Sequence, residues 1–241
     1  MTSPNYGETW VYESIVGTVP GVRVSDRTAI AIQLAGFEAA LLVVAAAYGL
    51  WSGVVAGTAA VVVAGIGSWL MLRFSRRIRR LPAPEPYRRL LFGSGVEVAL
   101  SVFAFVLLVT YLFVVDPRGG GPTLLAELLG AEPPALAVVL ALVISWDVVY
   151  RIGTCWWATV VGFWRATRYR FDAETSRGYA RMDALNVAFA GVQLLLVPFV
   201  LDRPVLLVAI GGHLGAVVIV ASASMLLQRR RATGGAQTTH Q

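Results

Sequence analysis

The chain holds 241 residues, 57% apolar and 14% charged, with a mean hydropathy of +0.69. Soluble domains carry about 25% charged residues, so the composition excludes an ordinary globular enzyme. The formal charge is +6 and all twenty basic residues are Arg; they cluster beside long apolar runs rather than along a polar face, which points to a bilayer and away from nucleic acid. One Cys and two His exclude an internal disulfide framework and a Cys/His metal site, and no cofactor is expected.

Residues 1–27 read as a cytoplasmic segment. Trp10, Val11, Ser14 and Ile15 fall at helical spacing and predict a short interfacial helix over Glu8–Gly17, closed by Val19-Pro20-Gly21. The first long apolar run begins only near Thr28, so no signal peptide is expected. A spanning helix needs roughly 20 apolar residues, because a ~30 Å core is crossed at ~1.5 Å per residue. Six stretches qualify: 28–50, 53–72, 90–115, 134–164, 184–201 and 204–228. Backbone groups in lipid must bond within their own segment, which makes these helices and the fold all-α, a six-helix transmembrane bundle over 28–228. The fourth stretch exceeds one crossing, which would place Trp156, Trp157 and Trp164 at the interface.

Between the spans, Pro82, Pro84 and Pro86 predict a stiff connector without helix, and Asp116–Pro122 a flexible turn before a short surface helix over 123–129, ended by Gly130. The residues after Arg231 are small and polar and read as a disordered tail, within a polar cytoplasmic segment 229–241.

Arginine position sets the orientation. Seventeen arginines flank one face, in the groups 23–27, 73–89, 165–181 and 229–231, whereas Arg118 and Arg203 lie on the other and Arg151 within the fourth span. The positive-inside bias puts both termini in the cytoplasm, consistent with a plasma-membrane protein whose Arg clusters meet anionic headgroups.

The odd spans share a pattern: Ala35-Gly36-Phe37-Glu38, Ser94-Gly95-Val96-Glu97 and Ala190-Gly191-Val192-Gln193. Each polar residue stands a similar distance from the cytoplasmic flank, suggesting three pseudo-repeated helical hairpins with Glu38 and Glu97 at one depth. Small-Gly pairs are also common in membrane helices, and chance would give the same three matches.

Five ionisable residues fall inside spans: Glu38, Glu97, Asp147, Arg151 and His213, with Gln33 and Gln193 as neutral hydrogen-bonding groups. Asp or Arg at a helix centre costs about 2.5–3.5 kcal/mol, so such residues should face the bundle interior or a water-filled path. Asp147 and Arg151 are four apart and can pair on one helix face. Three acids against one base leave an unbalanced negative charge, which predicts that at least one of Glu38 and Glu97 carries a proton at neutral pH and exchanges it in a working cycle. The plainer readings stand beside these: Asp147–Arg151 as a structural ion pair, Glu38 and Glu97 as hydrogen-bonding braces, His213 and Cys155 as packing residues.

Signatures of known enzymes are absent, from P-loop to nucleophile elbow, and the longest loops of about 20 residues fall below the ~50 of an independent domain. No enzyme activity is expected. Two functions remain: small-solute or ion transport past Glu38, Glu97, Asp147, Arg151, Gln193 and His213, linked to protons, or a non-transporting scaffold or partner-binding subunit. A homo-oligomer is compatible with either.

Three segments carry a resemblance: Thr9-Trp10-Val11-Tyr12-Glu13-Ser14-Ile15-Val16-Gly17, Tyr87-Arg88-Arg89-Leu90-Leu91-Phe92-Gly93-Ser94 and Trp146-Asp147-Val148-Val149-Tyr150-Arg151-Ile152-Gly153-Thr154. They resemble an uncharacterised family of haloarchaeal multi-pass membrane proteins. The resemblance implies a plasma-membrane protein and assigns no activity.

Overall fold

Ser25 opens the first span: its hydroxyl accepts from the Thr28 N–H at 3.2 Å, satisfying one of the orphan donors of a helix start. The helix, α1 (Asp26–Tyr48), ends at Gly49, whose φ of +71° suits a left-handed cap. A tight turn leads into α2 (Trp51–Ile78). Next come α3 (Glu85–Phe92) and α4 (Val96–Thr110), then a π-helical turn at Tyr111–Val115 and a 3₁₀ turn at Asp116–Gly119. A short helix α5 (Leu124–Leu129) precedes α6 (Ala135–Arg168) and α7 (Ala173–Val192); a 3₁₀ stretch Gln193–Phe199 and α8 (Pro204–Ala236) follow. The computed structural model describes Trp10 and residues 25–236. The expected interfacial helix over 8–17 lies outside the described residues, Trp10 excepted.

Six helices among the described residues are long and apolar enough to cross a membrane. Their outward faces are apolar, with Val208 and Ile219 on α8 74% and 69% exposed, as lipid-facing surface should be. Consecutive spans pack as antiparallel neighbours, α1 on α2, α4 on α6 and α7 on α8. The 34-residue α6 is about 51 Å long at ~1.5 Å per residue and also meets α2, α7 and α8, making it the post around which the bundle is arranged.

Several expectations change. The Pro-rich connector does form a helix, because Pro84 precedes α3 and Pro86 sits in its first turn, where no intrahelical N–H is needed. The third span is not one helix: it breaks at Gly93–Gly95 between α3 and α4. The turn after α4 is anchored rather than flexible, since buried Asp116 accepts from the Leu124 N–H, the Tyr111 hydroxyl and Arg203. Helix α7 starts at Ala173, eleven residues before the apolar run, because the Asp172 carboxylate caps it through the Glu174 and Thr175 N–H groups. The last helix continues to Ala236, past the expected start of a disordered tail. Trp156 and Trp157 turn inward: Trp157 donates to the Leu90 carbonyl at 3.0 Å and Trp156 meets His213 edge-on.

Candidate functional site

Arg151 occupies the centre of the bundle with 0% exposure. Its guanidinium reaches Asp147 one turn back at 2.8 Å, and its Nε donates to the Ala64 carbonyl of α2 at 2.7 Å. That carbonyl also accepts from the Ser68 hydroxyl. Gln33 on α1 donates to Asp147 at 3.1 Å. The pair read from spacing is therefore part of a layer joining α1, α2 and α6. Gly67 makes room for it: a Cβ there would stand 2.7 Å from both Arg151 Cδ and the Phe189 ring.

Glu97 stands in the first turn of α4, fully buried, and neither carboxyl oxygen reaches a donor of any other described residue. Immediately before it the chain breaks. Gly95 takes φ +66°, a left-handed conformation that a residue with a Cβ adopts only at a cost. The break deprives the Leu90 and Leu91 carbonyls of the partners a continuous helix would supply. Two indoles replace them: Trp157 Nε1 donates to Leu90 and Trp10 Nε1 donates to Leu91 at 3.2 Å. Trp10 is itself buried, stacked on Phe74 and edge-on to Phe92. It borders a cavity of about 20 Å³ shared with Thr154, Cys155 and Asn186, room for about one water, and the Asn186 amide nitrogen has no partner among the described residues.

The other candidates stand apart. Half-buried Glu38 accepts from the Thr58 hydroxyl at 2.8 Å. Thr58 lies six residues from Ala64 on α2, whereas Glu97 lies one turn beyond Ser101, whose hydroxyl meets the Tyr150 carbonyl beside Arg151. Glu38 and Glu97 thus fall on opposite sides of Arg151, about 15 Å apart along the axis at ~1.5 Å per residue. The expected acidic pair at one depth is not formed. Gln193 is buried where α7 tightens into the 3₁₀ stretch containing Pro198. Its amide nitrogen and His213 Nε2 have no partner among the described residues, and the His213 ring faces Trp156 at 6.2 Å.

A second buried ion pair escaped the sequence reading, which counted Arg165 among flanking arginines. Arg165 is fully buried and holds Asp183 on α7 at 3.0 Å. Asp183 also accepts from Ser224 at 2.7 Å and Gln228 at 2.8 Å, both on α8. The guanidinium donates to the Tyr87 hydroxyl of α3 and lies 4.0 Å above the Tyr179 ring. Arg231 donates to the carbonyls of Ala166, Thr167 and Tyr169, closing the end of α6. At the opposite end of the bundle Arg203 joins Asp116 and Glu127 at 2.9 and 2.7 Å. The available signal was an acid at position 183, one residue before an apolar span and beside a predominantly basic flank.

No group of three or more metal-ligating side chains occurs among the described residues. No curated protein and no solved structure matches the chain. One family does match, and it covers nearly everything from the N-terminal Trp10 segment through the buried ion pairs to Ser224. The chain belongs to this family of unknown function, DUF7530, over residues 5–224.

Proposed function

We propose that this protein moves a small solute or ion across the plasma membrane in a proton-linked cycle, with Glu97 as the group that takes up and releases the proton. One observation carries the reading: a fully buried carboxyl that reaches no donor of any other described residue, placed directly after the Gly93–Gly95 break between α3 and the membrane-spanning α4. An unpaired carboxylate in low dielectric is destabilising by several kcal/mol, so in this closed arrangement the side chain carries a proton or a cation. Discontinuous spans are where membrane transporters place their binding groups. Glu38, Asp147 and Arg151 are braces in this account, since each is already engaged across helices. Both termini lie in the cytoplasm, the Arg-rich loops contact anionic headgroups, and the protein is not an enzyme.

The test is flux. Protein reconstituted in vesicles should dissipate an imposed pH gradient faster than protein-free vesicles; Glu97→Gln should slow this tenfold or more, while Glu38→Gln should leave it within about twofold. Equal rates for Glu97→Gln and wild type, or none above protein-free vesicles, would overturn the proposal. A second reading, a scaffold or partner-binding subunit, draws on the ion pairs and the hydrogen bonds around them, which tie the elements of the bundle together. It requires a cysteine placed at position 97 in a Cys155→Ala background to resist small hydrophilic thiol reagents from both sides, whereas the transport reading requires reaction from one.

A further inference from the structure

Toward the end of the bundle that carries Arg203, the short helix α5 packs on α2 and α6. The space beneath it is a cavity of about 150 Å³. Its walls are aliphatic, including Val44, Ala56, Leu128, Ala137, Ala141 and Ile144, and Ser145 contributes the one polar side chain. Water needs two to four polar partners to stay in such a place, so a lining this predominantly apolar favours an alkyl guest over water. An apolar cavity of about this size in a soluble protein takes up a ring of roughly six carbons.

We propose that this cavity is a binding site for the headgroup-proximal part of an alkyl chain of a bilayer lipid. The walls continue directly into lipid-facing surface: Val44 and Ala56 adjoin Val43 and Val55, each 67% exposed, and Ala137 and Leu140 adjoin the exposed Leu136 and Val139. Exposed Tyr48 and Trp51 stand at the α1–α2 turn, the position at which aromatic side chains meet headgroups. A lipid with its headgroup at that level reaches the cavity with its chain. A second copy of the protein does not fit, because a helix with side chains is about 10 Å across and α5 closes the space from above. That roof is fastened: Thr123 caps it, Ser52 donates to the Leu128 carbonyl, and Glu127 is tied to Arg203.

The probe is a phosphatidylcholine carrying a diazirine in the first half of one acyl chain, incorporated into nanodiscs with the full-length protein, irradiated and mapped by mass spectrometry. Labelling over 125–129 and 137–145 should exceed that over the equally apolar, lipid-facing 205–219 by fivefold or more. Ala141→Phe should fill the space and remove that excess, with labelling of 205–219 unchanged; Ala56→Leu serves the same purpose should the first variant not fold. Equal labelling of the two regions, or an excess that survives filling, overturns the proposal. So does an excess seen only with a free alkyl diazirine, which would mean a detached apolar molecule, or crosslinks between protein copies, which would mean a self-association face.

Discussion

Replacing Asp183 by Leu strips the anion from a site in which its partner is fully buried. Arg165 is then left as a desolvated cation, and Ser224 and Gln228 lose a shared acceptor. Breaking a buried pair from one side costs about 3–5 kcal/mol. The Tyr179 face at 4.0 Å and the Tyr87 hydroxyl at 3.0 Å remain to stabilise the cation, and a desolvated cation–π contact supplies about 2 kcal/mol, so the low end, about 3 kcal/mol, is expected. For a chain of this size each kcal/mol shifts the melting temperature by about 2–4 °C, giving a fall of about 6–12 °C in micelles followed by tryptophan fluorescence. The double variant Arg165→Met with Asp183→Leu carries no unpaired charge and should recover at least half of the loss, because a well-packed apolar replacement of a buried pair is often near neutral. A fall under 2 °C for the single variant, or a double variant as poor as the sum of its singles, would refute the assignment of this pair as a brace.

Trp10→Ala should uncover the cavity that Trp10 shares with Cys155: the native thiol, the chain's one cysteine, should react with a small methanethiosulfonate reagent at least tenfold faster, with Trp10→Phe in between, and an unchanged rate would show that the indole shields nothing. The Asp172 carboxyl is held below the usual carboxylate range by hydrogen bonds from Thr175, backbone first and then hydroxyl, with Glu174 adding a weaker one. Its contribution is therefore present above the ordinary Asp range and lost as pH falls through the lowered value; in acid titrations of thermal stability, Asp172→Asn should flatten that part of the profile, and an unaltered profile would count against the cap.

What was legible in the sequence follows from the strength of each physical signal. Six apolar belts and the arginine asymmetry survive any local detail, because lipid penalises every alternative. The Asp147–Arg151 contact was legible because it is local, four residues on one helix. The Arg165–Asp183 pair spans 18 positions and two helices, and Arg165 sits among flanking arginines that satisfy the topology rule equally well. The break at Gly93–Gly95 was hidden because the same residues fit a repeat, while the evidence for a break, indoles on the Leu90 and Leu91 carbonyls, comes from residues 67 and 81 positions away. Pro86 misled because its meaning reverses between the first turn of a helix and its interior. The depth of Glu38 against Glu97 was misjudged by counting from flanks, since α3 adds a helical turn before the break that the first span lacks.

Association between helices in lipid has no hydrophobic driving force of its own, so polar contacts and close backbone approach take over that role. The charged groups of this bundle divide on that criterion. Asp147–Arg151 ties α6 to α1 and α2, Arg165–Asp183 ties α6 to α3, α7 and α8, and Arg203 ties the start of α8 to the turn and α5 at the far end. Each neutralises a charge by joining separate elements of the bundle. Glu97 does neither. It joins no described element through its carboxyl, and it weakens the bundle by whatever its burial costs, at a place where two tryptophans are already committed to repairing a broken backbone. A brace would be better made there by Gln, which carries no charge to bury, or by Leu, which needs no partner. What separates position 97 from the buried carboxyls of Asp116, Asp147 and Asp183 is that its oxygens meet no donor of any other described residue.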